Sequence, residues 1–180
     1  MNPAAQAVKW YSAVKNALKG YPSTLDAILI LAIIYQESGG NPWAYNPEPR
    51  YRWFWNVKID APFRAASPSE IASKTPPNDF PCLAGDSDQE WWGQQASWGL
   101  MQLMGAAARE QRFRGGYLTE LCDPYVNIEF GVKHWWTFAL QYGNRSKEEA
   151  LSRWNTGNSE DGRGYASEVL EKAAIVKAAL

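Results

Sequence analysis

The residue best suited to chemistry in this 180-residue chain is Glu37, which follows an almost uninterrupted apolar run from Leu25 to Tyr35. Ser38 and then Gly39 and Gly40 follow, and glycine commonly ends a helix. Burial and the negative end of a helix dipole both disfavour an ionised carboxylate at such a position. A Glu with a raised pKa can donate a proton near neutral pH, which favours a general acid here. The alternative is a Glu that points to solvent and pairs with a Lys or Arg.

The apolar run indicates the helix that must position this acid. It is shorter than the roughly 20 apolar residues that span a bilayer, so it predicts a buried helix through the middle of a soluble domain. We expect Ser23 to cap this helix, with Asp26 at the capping-box position. Apolar residues at helical spacing predict an amphipathic helix over 3–19 that ends at Gly20.

The segment 41–96 is rich in proline and keeps neither a helical nor a strand period. It predicts an irregular segment with a short hairpin and a short helix near 69–74. Long irregular segments are uncommon in compact domains and are often functional. Its tryptophans form either a small core of their own or a wall of a substrate cleft.

Helical patterns return after an apolar segment over 97–104. Asp123 followed by Pro124 is an N-cap signal, and Ser146 with Glu149 is a capping box. We expect helices over 105–112, from Asp123 to about Tyr142, from Ser146 to about Asn155, and a last helix that carries Tyr165 and Val176. These patterns predict one domain over 1–180 that is mainly α with minimal strand.

The composition limits the class of partner. The net charge is -1 and Lys/Arg runs are absent, which argues against nucleic acid. Ten Trp and 14% aromatic residues are typical of both sugar-binding clefts and large cores. One His and two separated cysteines, Cys82 and Cys122, give no zinc-binding pattern, and a disulfide and two free thiols both remain open.

Three separated segments carry short motifs: E-S-G-G-N-P from Glu37, S-W-G-L-M-Q-L-M from Ser97 and A-L-S-R-W-N-T-G from Ala150. In this order they resemble the three signature blocks of lytic transglycosylases of the soluble Slt type, enzymes with a goose-type, lysozyme-like fold. The segment D-P-Y-V-N-I from Asp123 resembles a structural helix of the same family. The resemblance spans about residues 25–170.

Two departures from the family pattern stand out. Trp154 occupies the position where the third block usually has Tyr, and Tyr165 is the candidate for the family's downstream Tyr. The separation of Glu37 from Ser97 is also much longer than usual. The resemblance therefore implies a lysozyme-like fold with a long irregular insertion at about 43–95.

The resemblance implies a peptidoglycan lytic transglycosylase with Glu37 as its catalytic residue. Glu37 would protonate the oxygen between N-acetylmuramic acid and N-acetylglucosamine. The ionised carboxylate would then take the proton of the muramoyl 6-hydroxyl, which attacks its own anomeric carbon. The product would have a 1,6-anhydro end, and no water would be consumed.

Six further residues are candidates for binding the substrate or orienting the acid, and each has a structural alternative at a helix end or in the core. Amide side chains suit acetamido groups, and hydroxyl groups suit sugar hydroxyls. The six are Ser38, Ser97, Met101, Gln102, Asn155 and Tyr165. We expect His134 to be structural and Glu129 to be a surface or paired acid, and we expect no metal and no cofactor.

Two other functions remain open. A hydrolytic muramidase of the same fold would need a second acid, which the insertion could supply from Asp60, Asp86, Asp88 or Glu90. A glycan-binding module without turnover is the second alternative.

The expected partner is the glycan strand of peptidoglycan, bound by a monomer that has no membrane span. Action is therefore expected at the bacterial cell wall, in the periplasm or outside the cell. The N-terminal residues lack the pattern of a secretory signal peptide, which favours a phage virion protein, a phage lysis protein or another special export route.

Overall fold

The computed structural model describes residues 3–22, 25–73, 75–140, 146–157 and 163–180. Helices predominate and strands are short, so the expectation of a mainly α fold is confirmed. The helices are α1 (Pro3–Val8), α2 (Tyr11–Ala17), α3 (Ala27–Ser38), α4 (Pro68–Ala72), α5 (Ser87–Gln94), α6 (Gly105–Glu110), α7 (Pro124–His134), α8 (Lys147–Thr156) and α9 (Arg163–Ala179). The strands are β1 (Tyr45–Pro47), β2 (Trp55–Asn56), β3 (Ala61–Pro62), β4 (Ala96–Trp98) and β5 (Leu103–Met104).

Helix α3 runs through the main hydrophobic core, as its apolar sequence predicts. Its residues from Leu29 to Ile34 are buried, and α1, α2 and α9 pack against it. The N-cap is Asp26, whose carboxylate accepts a hydrogen bond from the backbone N–H of Ile28 at 2.9 Å. The predicted cap was wrong, because the helix begins only at Ala27, and Ser23 lies outside the described residues.

The predicted helix over 3–19 is divided into α1 and α2. The chain turns at Trp10, whose indole Nε1 donates a hydrogen bond to the carbonyl of Gly40 at 3.1 Å. Gly40 has a φ of 84°, and a Cβ there would lie 2.7 Å from the backbone of Gln6. Only glycine allows this close approach. Because the helix is interrupted at Trp10, the N-terminal segment contacts the chain at Gly40, three residues after Glu37.

Both ends of the insertion lie side by side in a three-stranded sheet of order β1–β4–β5. All pairs are antiparallel, and β1 pairs with β4 so that Asn46 lies opposite Ser97. Strands β2 and β3 form the short hairpin that was expected in this segment. Helix α4 matches the predicted short helix, although Lys74 lies outside the described residues, whereas α5 was not predicted.

The insertion has a small hydrophobic core of its own. Phe54 stacks on Trp91 with ring centroids 4.0 Å apart, and Phe80 meets both rings edge-on. All three side chains are at most 5% exposed. Trp91 therefore belongs to the insertion's own core and not to the wall of a cleft.

A buried ion pair joins the insertion to α6. Arg109 and Glu90 are 0% and 1% exposed, and two hydrogen bonds of 2.8 and 2.7 Å connect them. Arg109 also donates to the carbonyls of Phe113 and Gly115. Helix α5 therefore has a fixed position relative to α6.

The caps predicted for the C-terminal half are confirmed. The side chain of Asp123 accepts hydrogen bonds from the first turn of α7, and Pro124 is its first residue. Ser146 and Glu149 form the capping box of α8. Helix α7 continues as a π-helix over Trp135–Leu140, and the predicted end near Tyr142 lies outside the described residues.

Asn127 of α7 fixes the turn between β4 and β5. It is fully buried, and its Oδ1 accepts a hydrogen bond from the backbone N–H of Met101 at 2.8 Å. Its Nδ2 donates to the carbonyls of Trp98 and Leu121. A buried amide with all these partners specifies one conformation of the segment, which carries the second sequence motif.

Candidate active site

A cavity of about 1020 Å³ lies where the end of α3, the three-stranded sheet and the end of α8 meet. This volume is at the upper end of the roughly 300–1,000 Å³ typical of ligand pockets. Four predicted site residues line it: Glu37, Ser97, Gln102 and Asn155. The other lining residues are Asn46, Glu48, Tyr51, Trp53, Leu103, Met104, Ala107, Glu110, His134, Phe138, Trp154, Thr156 and Gly157.

Glu37 receives two hydrogen bonds on a single oxygen. The Tyr165 hydroxyl donates to Oε1, and Trp154 Nε1–H donates to the same atom at 3.3 Å. Within the described part of the chain, no donor reaches Oε2. A carboxylic acid held in this way carries its proton on Oε2, because Oε1 is occupied as an acceptor.

The surroundings of Glu37 shift its affinity for a proton in two directions. Burial raises the pKa of Glu37, and the hydrogen bonds from Tyr165 and Trp154 lower it by a smaller amount. Burial and the charge of Glu37 raise the pKa of Tyr165 far above its ordinary value. The phenol therefore stays protonated and acts as a donor.

Trp154 supplies its N–H from a fixed ring. Its centroid lies 5.9 Å from that of Trp135 and 5.6 Å from that of His134. An indole is a donor only, whereas the Tyr usual at this position could also accept. This substitution therefore directs a pure donor at the acid.

Ser38 does not line the cavity. Its hydroxyl oxygen lies 2.8 Å from the carbonyl of Leu100 and accepts a hydrogen bond from the N–H of Gly40. These contacts tie the end of α3 to the turn before β5. These contacts favour a structural role for Ser38 at the helix end over a role in substrate binding.

Ser97 and Gln102 both face the cavity from the second motif. Gln102 has a φ of 45°, and its Nε2 donates to the carbonyls of Ala44 and Gly99. These bonds fix the amide and leave Oε1 to accept from a ligand. Asn155 is exposed at the end of α8, beside Thr156.

Met101 was a candidate for substrate binding with a core role as the alternative, and the structure places it in the core rather than in the cavity lining. Its side chain is fully buried in the main core, and its sulfur lies only 2.4 Å from the position that a Cβ on Gly131 would take. The tight turn at Gln102 directs Met101 inward. Met104 lines the cavity instead.

The insertion contributes four residues to the cavity lining: a tryptophan in the cleft wall was one of the two expected outcomes and holds for Trp53, whereas Asn46, Glu48 and Tyr51 were not predicted. We call Asn46, Glu48, Tyr51 and Trp53 the insertion wall, because all four belong to the insertion and line the cavity. The only signal was the run Y-R-W-F-W from Tyr51, which left open whether its rings face a cleft.

His134 lines the cavity, although it was expected to be only structural. Its ring stacks on Phe138 with centroids 4.9 Å apart, and burial lowers the pKa of His134 to about 4. The imidazole is therefore neutral at physiological pH. Glu129 of the same helix is exposed, as expected.

The four acids considered for hydrolysis do not line the cavity. Asp60 pairs with two arginines, Asp86 caps α5, and Asp88 is exposed. Glu90 belongs to the buried pair with Arg109. Two other acids do line it, Glu48 and Glu110, and partial exclusion of water raises the pKa of Glu110.

Within the described ranges, no three His, Cys, Asp or Glu side chains are arranged to hold a metal ion, and Cys82 and Cys122 are free thiols. No helix of that part of the chain is long and apolar enough to cross a membrane.

Comparison with models of protein families gives a match to the transglycosylase SLT domain over residues 19–172, most of the chain. Searches among curated proteins and among solved structures gave no significant match. The matched range contains Glu37, both of its hydrogen-bond donors and the three motifs. The chain therefore belongs to the transglycosylase SLT domain family, the lytic transglycosylases that cleave glycosidic bonds of peptidoglycan.

Proposed function

We propose that this enzyme cleaves the β-1,4 bond between N-acetylmuramic acid and N-acetylglucosamine and leaves a 1,6-anhydro-muramoyl end. Glu37 is the general acid and then the general base. The observation that carries this proposal is the pair of hydrogen bonds from Tyr165 and Trp154 to Oε1. Burial favours the protonated carboxyl group, and because both hydrogen bonds are accepted by Oε1, the proton lies on Oε2, which faces the substrate.

In the first step, Glu37 gives its proton to the glycosidic oxygen, which leaves as the 4-hydroxyl of N-acetylglucosamine. The bond from that oxygen to the anomeric carbon breaks. In the second step, the Glu37 carboxylate takes the proton of the muramoyl 6-hydroxyl, whose oxygen bonds to the anomeric carbon. The acid is then protonated again, and no water has been consumed.

The two donors support the ionised stage between these steps. A carboxylate that accepts hydrogen bonds is stabilised relative to the acid, whereas burial favours the acid. The two effects on the pKa of Glu37 oppose each other. One group can then donate and accept a proton in the same cycle, because an acid–base catalyst works best with a pKa near the working pH.

Polar groups around Glu37 suit the N-acetyl substituents of the substrate. The Oε1 of Gln102 can accept from an acetamido N–H, and the amide of Asn155 can donate or accept. Ser97 adds a hydroxyl at the same cavity. We assign these three residues to substrate binding.

A hydrolytic reaction is the second candidate, because Glu48 and Glu110 line the same cavity. In that reaction, one of these carboxylates would activate water against the anomeric carbon. Burial raises the pKa of Glu110, which makes its carboxylate, when ionised, a stronger base than an ordinary glutamate. Product analysis distinguishes the two reactions, since an anhydro end is lighter than a hydrolytic end by one water.

The test combines turbidity loss of purified cell walls with mass spectrometry of the released muropeptides. We expect anhydro ends from the native enzyme and a loss of release by orders of magnitude in Glu37→Gln. Glu129→Gln is the matched control, because Glu129 is exposed on α7 outside the cavity. Products with only hydrolytic ends would overturn the proposal in favour of hydrolysis.

A further inference from the structure

The insertion wall lines the same cavity as Glu37. Its backbone leaves β1, and the N–H of Glu48 donates to the carbonyl of Gln95 at 2.6 Å. The N–H of Tyr51 then donates to the carbonyl of Glu48 at 2.8 Å. The first bond continues the pairing of β1 with β4 and the second closes a turn, so together they give the wall a defined position beside the sheet.

Trp53 is the most exposed aromatic ring in this wall. It is 68% exposed although it lines a cavity, while the next residue, Phe54, is 4% exposed. The guanidinium of Arg52 lies 5.5 Å from the ring centroid on one side. At this exposure the ring leaves a large apolar surface open in a cleft, which is typical of a binding site.

The backbone on both sides of Trp53 is fixed. Phe54 belongs to the core of the insertion, and the amide of Gln94 bonds both the N–H and the carbonyl of Trp55, at 2.8 and 3.0 Å. Tyr51 also packs edge-on against Phe54. A platform held in this way loses little entropy when a ligand stacks on it.

We infer that Trp53 is the stacking platform of a separate glycan subsite, where it binds the apolar face of an N-acetylhexosamine ring remote from the scissile bond. This inference rests on the proposed function for the identity of the polymer. The cavity exceeds the volume needed by one drug-sized ligand, so it has room for more than the reacting ring. Remote contacts of a polymer hold its reacting unit in place.

The other tryptophans of the insertion do not line the cavity. Trp91 is buried, Trp55 is partly buried and donates to Asp60, and Trp92 is 37% exposed. Trp43 is 74% exposed but lies outside the lining residues. Trp43 is therefore a matched control for Trp53, with similar exposure in the same insertion.

The test measures binding of peptide-free glycan strands of two, four and six sugars by calorimetry. All variants carry Glu37→Gln, so that no strand is cleaved and the result does not depend on the reaction products. We expect Trp53→Ala to weaken binding of six sugars about five- to tenfold, as the loss of one aromatic contact would. Binding of two sugars should change less than about twofold, and Trp43→Ala should match the parent at every length.

Two further variants keep the inference falsifiable. Trp53→Phe retains a ring and should recover most of the lost affinity, whereas Trp53→Gln should behave like Trp53→Ala. Circular dichroism and thermal unfolding check that each variant is folded. An equal loss at every length, no loss at six sugars, or no gain in affinity from two to six sugars in the parent would overturn the inference.

Discussion

The Tyr165 hydroxyl donates a hydrogen bond to Oε1 of Glu37, although the two residues are 128 positions apart. They meet because α9 packs along α3, and the apolar faces of these helices belong to one core. The proton affinity of the acid therefore depends on the docking of the last helix. A change at this helix interface should alter activity even where it leaves the cavity untouched.

We expect Glu37→Gln to reduce the release of anhydromuropeptides by at least about 10²–10⁴-fold, because the amide has no proton to transfer. The protein should remain folded. The measurement is a time course of muropeptide release at equal enzyme concentration. Turnover in Glu37→Gln close to that of Glu129→Gln would assign the acid to another residue.

The raised pKa of Glu37 also predicts how stability depends on pH. Its folded-state pKa lies above the unfolded value of 4.5, so the folded state binds more protons between these values. Stability is then lost as pH rises from about 4.5 through the folded-state pKa. The amide of Glu37→Gln does not ionise, so this variant does not lose stability in the same pH range. The free energy of unfolding of Glu37→Gln minus that of the native protein should therefore be larger at pH 8 than at pH 4.

Denaturant unfolding at both pH values measures this difference, and Glu129→Gln serves as the reference. Other titrating groups contribute equally to the variant and the native protein, so they cancel. An advantage that is larger at pH 4 would show that the pKa of Glu37 is lowered in the folded protein.

Removal of either donor should raise the pKa of Glu37 further. Both hydrogen bonds favour the ionised carboxylate and lower its pKa, so the loss of either leaves the effect of burial less opposed. In Tyr165→Phe and Trp154→Phe, the alkaline limb of the pH–rate profile should therefore move to higher pH. The rate at the optimum should also fall, because the ionised stage loses a donor.

Tyr125→Phe is the control for these variants, because Tyr125 is 67% exposed and lies outside the cavity. An alkaline limb that does not move in Tyr165→Phe would mean that this hydrogen bond does not set the acid's pKa during turnover.

Breaking the buried pair of Arg109 and Glu90 should destabilise the fold. Glu90→Gln or Arg109→Met leaves one charge buried without its partner, which costs about 3–5 kcal/mol. Replacing both residues together should cost less than the sum of the single changes. Arg64 and Glu70 form a pair at the surface for comparison, where Glu70→Gln should cost much less because water screens the remaining charge. Additive single and double changes would show that the buried pair is not coupled.

The carboxylates of the insertion should not contribute to the reaction chemistry. Asp86→Asn and Asp88→Asn should keep most activity, because neither residue lines the cavity. Glu110→Gln and Glu48→Gln test the two acids that do. If Glu110→Gln removed activity by orders of magnitude while the products of the native enzyme were hydrolytic, the reaction would be hydrolysis with Glu110 as its base.

Local signals accounted for the parts of the fold that the sequence could predict. The cap at Asp123 and the capping box of Ser146 and Glu149 depend on residues within one helical turn, so they can be recognised without a tertiary structure. Helix α5 was not predicted because it is short and largely polar. Its position depends on the buried contacts of Glu90 and Trp91.

Site residues that belong to a sequence motif could be predicted. Residues that face the cleft only because of tertiary contacts could not. Met101 and Met104 belong to one motif, but the left-handed turn at Gln102 directs only the second towards the cavity. Likewise, Phe54 is buried and Trp53 is exposed, though they are neighbours in an aromatic run. No periodicity in that run distinguishes the two rings.

The pairing of β1 with β4 has a consequence for how such a chain can change. Because Asn46 lies opposite Ser97, the segment between them departs from and returns to almost the same point. The closure entropy of such a segment grows only slowly with its length, and its ends stay fixed whatever lies between. Evolution could therefore lengthen, shorten or exchange this segment, and so alter which polymers the enzyme recognises, without rebuilding the helices that hold its acid.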